Sequence, residues 1–94
     1  MPRFYAILSS IMLLLAGCAV TGDRAEVSGV GPDDLLKLRA GPGLGYEIIL
    51  GLPEGTQVIR HDCVTEVGQR WCRVTPVKSP EVSGFVANTY LLDR

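Results

Sequence analysis

The sequence predicts a small all-β domain, and three observations carry that prediction. No helical period of useful length runs through residues 35–94, short runs rich in valine, isoleucine and leucine take its place, and glycine or proline punctuates those runs. Leu36-Lys37-Leu38-Arg39 alternates apolar and polar residues, the signature of a half-buried strand. Ala40-Gly41-Pro42-Gly43-Leu44-Gly45 follows as a loop in which glycines permit backbone angles that other residues avoid. Strand character resumes at Ile48 to Leu50 and stops at the turn Pro53-Glu54-Gly55. Thr56 to Cys63 reads as the next strand with Val58 inward, Arg70 to Thr75 pairs back on it, Gly84 to Ala87 forms a later strand, and Tyr90-Leu91-Leu92 closes the chain. About five strands are expected.

The N-terminal part has a different composition. Arg3 gives a basic start, Phe4 to Leu15 is nearly all apolar, and small residues precede Cys18, which is the layout of a secretory signal. The apolar run is about a dozen residues, short of the roughly 20 that span a bilayer. Leu15-Ala16-Gly17-Cys18 resembles the bacterial lipobox. That resemblance implies that the Cys18 sulfur is acylated, that the signal at residues 1–17 is removed, and that the product is membrane-anchored without spanning. Chemistry supports a cysteine here, because a thiolate is the nucleophile that alkylation needs. Several acyl chains make the anchor firm, each buried methylene contributing about 0.8 kcal/mol. The expected location is the outer side of the cytoplasmic membrane, or an outer membrane facing the periplasm. Ala19 in place of an acidic residue resembles lipoproteins sorted to an outer membrane. Residues 18–34 are small, polar and glycine-bearing and read as a flexible tether, leaving 35–94 as the single domain.

A domain of about 60 residues buries only around 60% of its unfolded surface and is marginal without help. Cys63 and Cys72 offer that help. If Val67-Gly68 is a two-residue hairpin tip, Glu66 faces Gln69, Thr65 faces Arg70, Val64 faces Trp71, and Cys63 faces Cys72. Counting outward, the cysteines form a non-hydrogen-bonded pair with Cα atoms about 4.5 Å apart, within the range a disulfide accepts. Outside the cytoplasm such a bond persists. Two rivals remain at this point: a metal site using His61, Cys63 and Cys72, which lacks a fourth ligand, and a redox-active pair, which lacks C-x-x-C spacing and a helix N-terminus.

With the strands placed, several segments stand in a familiar order: Leu36-Lys37-Leu38-Arg39-Ala40-Gly41-Pro42-Gly43, Tyr46, Leu52-Pro53-Glu54-Gly55-Thr56-Gln57-Val58, Trp71-Cys72-Arg73-Val74, Gly84-Phe85-Val86 and Tyr90-Leu91. Together they resemble the bacterial SH3-like domain from Leu36 to Asp93. Phe85 stands where that family usually carries tryptophan, Pro76 to Glu81 is a longer insertion, and the cysteine pair is extra. The resemblance implies a small SH3-like barrel that closes on itself and leaves few open edges. Leu36, Leu38, Ile48, Leu52, Val58, Val74 and Val86 are its expected core, and Gly84 eases a bend. Arg39 either supports the glycine loop or is an exposed strand-end charge.

The resemblance also implies a non-catalytic binding module for cell-wall peptides or protein partners. Residue chemistry agrees with this. His61 is the one histidine, there is no Gly-x-Ser-x-Gly elbow and no spare thiol, so nucleophilic hydrolysis lacks its parts. No enzyme activity, metal or cofactor is expected. From Cys18 onward eight basic residues face ten acidic ones, which excludes a nucleic-acid footprint. Tyr46, Trp71 and Tyr90 are the expected ligand surface, since aromatic rings give large contact area at low entropy cost. Their alternative is packing at the barrel rim, and for Trp71, on the face opposite Cys72, the two readings weigh equally. Peptidoglycan or an envelope protein is the expected partner; a structural role in an envelope assembly without wall binding is the alternative.

Overall fold

The computed structural model describes residues 22–94; the leader and Cys18 lie outside the described residues. Among these residues, seven strands form one antiparallel sheet: β1 (Asp23–Val27), β2 (Leu35–Arg39), β3 (Ile48–Pro53), β4 (Gln57–Glu66), β5 (Gln69–Pro76), β6 (Gly84–Ala87) and β7 (Leu91–Asp93), with a 3-10 turn at Asn88–Tyr90 between the last two. Their order across the sheet is β3-β2-β6-β5-β4-β1-β7. The fold is all-β, with two strands more than expected.

Period-two burial explains most of it. In β2, Leu36 and Leu38 point inward while Leu35 and Lys37 are exposed, and Val58, Val74 and Val86 supply the facing layer from β4, β5 and β6. Gly84 lets β6 approach β2, because a Cβ there would stand 2.7 Å from the Arg39 carbonyl oxygen and 2.8 Å from Leu38 Cγ. Ile48 departs from the expected core and is 47% exposed. Its strand β3 lies at the sheet edge, and the register shift between Leu38 and Arg39 sets Ile48 at the open end of the pairing.

The larger correction concerns the tether. Asp23 to Val27 is a strand, paired with β4 on one side and β7 on the other. Charged residues mask its pattern, yet Ala25 and Val27, alternating with Arg24 and Glu26, are fully buried, so the segment completes the core. Polar bonds then fasten it. Arg60 on β4 reaches Asp23 and Asp93, and its Nη1 donates to Asn88 Oδ1 at 3.0 Å, joining β1, β4, the 3-10 turn and β7. Arg94 pairs with Glu26 at 2.8 Å.

The stretch after β1 is fixed as well. The Glu54 carboxylate accepts the backbone N–H groups of Gly29, Val30 and Gly31 at 3.1, 3.0 and 3.2 Å. Positive φ at Gly29 and Gly31 points these donors into one concavity. Residues 23–31, expected to be a flexible tether, are therefore held within the same fold as residues 35–94.

At the other end of β4, the hairpin register is the expected one: Glu66 faces Gln69, Thr65 faces Arg70, Val64 faces Trp71 and Cys63 faces Cys72. The two cysteines are joined as a disulfide with Cα atoms 4.0 Å apart. A bulge sets His61 and Asp62 against the single residue Arg73, bending β4 and letting Arg73 pair with Asp62 at 2.7 Å.

Candidate binding cleft

The loop between β2 and β3 folds back on its own stem. Ala40 N–H donates to the Glu47 carbonyl at 2.8 Å, and Arg39 Nη1 donates to the carbonyls of Leu44 and Tyr46, both at 3.1 Å. Of the two readings of Arg39, loop support is the one observed. Tyr46 lies against Gly41, where any Cβ would collide with its ring. The ring is thus held flat on the loop with half of its surface open, at 51% exposure.

Trp71 projects from β5 beneath this loop. It is 6% exposed, so of its two readings packing dominates, while its remaining surface forms the floor of a cleft. Cys72 beside it is also buried, because the sheet curls and both faces of β5 are covered at this point. Tyr90 comes from the 3-10 turn, 37% exposed, with its carbonyl accepting Ser28 N–H at 2.9 Å and its ring 3.6 Å from where a Gly29 Cβ would stand. The segment expected to be a flexible tether therefore backs a residue of the cleft.

Tyr46, Trp71 and Tyr90, separated by up to 44 positions in sequence, line one cleft of about 690 Å³. Pro42 and Leu44 of the glycine loop, Ala87 of β6, and Glu66, Val67 and Gln69 of the β4–β5 hairpin complete it. A smaller hollow of about 170 Å³ adjoins it, sharing Leu44, Trp71, Ala87 and Tyr90 and continuing toward Lys37 on β2. Two adjoining hollows over a shared aromatic floor, with Glu66 and Gln69 lining one and Lys37 the other, suit an extended peptide better than a compact polar metabolite.

The hairpin contribution was not expected. Its signal was present only as a turn motif, and whether a turn tip overhangs a distant loop depends on barrel curl, which pairing patterns do not encode. The other sequence candidates lie elsewhere. His61 Nε2 is 2.9 Å from Thr75 Oγ1, facing a separate polar hollow with Arg60 and Asp23. Cys63 and Cys72 are bonded to each other, so neither sulfur is a thiolate available to hold a metal, and the described residues contain no cluster of three potential metal ligands.

The bacterial SH3 domain family model matches residues 34–91, well over half of the chain. The chain belongs to the bacterial SH3 domain family. No curated protein and no solved structure matches it. The match begins just before β2, so β1 lies N-terminal to the matched bacterial SH3 region while sharing its sheet. Bacterial SH3 domains are binding modules as a class, and the cleft is where this one offers aromatic surface.

Proposed function

We propose that this protein is a lipid-anchored binding module of the cell envelope that holds peptide segments of peptidoglycan in the Tyr46–Trp71–Tyr90 cleft. The observation that carries the reading is the convergence of those three aromatic residues on one groove. Tyr46 and Tyr90 present open ring faces for contact, and Trp71 fixes the floor between them. Anchoring rests on the lipobox-like Leu15-Ala16-Gly17-Cys18, and the module works without chemistry on its ligand.

The test is co-sedimentation of the full, detergent-solubilised chain with purified sacculi. The wild type pellets, Tyr46→Ala and Tyr90→Ala each reduce binding by about tenfold, and both variants keep the wild-type unfolding midpoint to within a few degrees. Unchanged binding in both variants places the ligand elsewhere. Absence of co-sedimentation, together with one specific crosslinked envelope protein, favours the assembly role. Palmitate incorporation that disappears in Cys18→Ser tests the anchor separately.

A further inference from the structure

The β4–β5 hairpin walls one side of the cleft and ends at Val67-Gly68. Both residues have positive φ, +50° and +74°, as a two-residue turn matched to strand twist requires. Gly68 adopts this freely. For Val67 it is unfavourable, because a branched Cβ crowds the neighbouring carbonyl, and Asn or Gly forms the same turn with less crowding. The Val67 side chain is fully exposed, so within the domain no packing offsets that strain. Strained positions of this kind concentrate where a side chain meets a ligand.

Its neighbour strengthens the point. Among the described residues, Glu66 is the one acidic or basic side chain lining the cleft, and the floor beside it is aromatic and apolar. A carboxylate next to open aromatic rings attracts a cationic group through both its charge and the negative ring faces. We infer that the hairpin tip is the specificity element of the cleft, with Glu66 receiving a free amino group of the bound peptide and Val67 packing on an apolar part of the same ligand. The inference rests on the peptide-binding reading of the cleft.

The experiment uses the full chain in detergent and purified sacculi, with Tyr46→Ala as reference. Val67→Asn raises the thermal midpoint by about 4–8 °C through relief of the left-handed valine, yet weakens sacculus binding by about tenfold. A purely structural residue would not move stability and binding in opposite directions. Glu66→Gln weakens binding roughly three- to tenfold, and acetylating the free amino groups of the sacculi brings the wild type down to the Glu66→Gln level while leaving that variant unchanged. If Tyr46→Ala loses binding but Val67→Asn and Glu66→Gln bind like the wild type, the role of the tip is overturned and the cleft reading stands. Wild-type protein that does not pellet overturns both.

Discussion

Glu54 shows how much one side chain can organise here. Its carboxylate accepts three consecutive backbone N–H groups, led by that of Gly29, and these hold its pKa below the ordinary carboxylate value. A carboxylate with a lowered pKa in the folded state contributes stability above its unfolded pKa, and that contribution is lost as pH falls through the folded one. Asp23 shifts the same way, chiefly through its hydrogen bond from Arg60. Glu54→Gln should therefore be less stable than the wild type at neutral pH, with the difference shrinking on acidification. Urea titrations at several pH values check this, and a gap that widens in acid would contradict it. Both groups sit on the bonds that fasten residues 23–31, so acid should loosen that segment first.

Among the elements, the β4–β5 hairpin and β1 matter most. Reducing the Cys63–Cys72 bond reopens a loop of sequence separation 9, which in the chain-entropy view costs about 2.5–3 kcal/mol. Urea unfolding with and without reductant measures it, and equal midpoints would show that the crosslink contributes nothing. The hairpin was legible because Val67-Gly68 fixes a register by counting, so both the facing residues and the sulfur pairing follow from local geometry. β1 was not, since five residues bearing three charges between glycines resemble a linker until strands exist on either side to bury Ala25 and Val27. A chain beginning at Leu35 should lose cooperative unfolding, because Val58 and the rest of that core layer would face water. Circular dichroism melts of the shortened and full domains decide it; equal midpoints would return β1 to the status of tether.

For the whole molecule, local pattern and closure were legible to different degrees. The inward leucines and valines of β2, β4, β5 and β6 follow from alternation alone. Ile48 does not, because its exposure depends on β3 being the sheet edge, a property of topology. The cleft is a similar case: Tyr46, Trp71 and Tyr90 were identifiable as aromatic residues near loops, but only curvature brings them together and submerges Trp71. The same curvature sets the Glu66–Gln69 tip across from Leu44, which no spacing rule anticipates.

The early start of β1 also limits how far the domain can wander. With Cys18 acylated as proposed, only residues 19–22 separate the lipid from the first paired residue, and even fully stretched they extend roughly 14 Å. A tether of 16 residues, from Ala19 to Asp34, would have allowed about four times that range. On that proposal the domain would stay close to the bilayer, and the cleft would meet its ligand near the membrane surface.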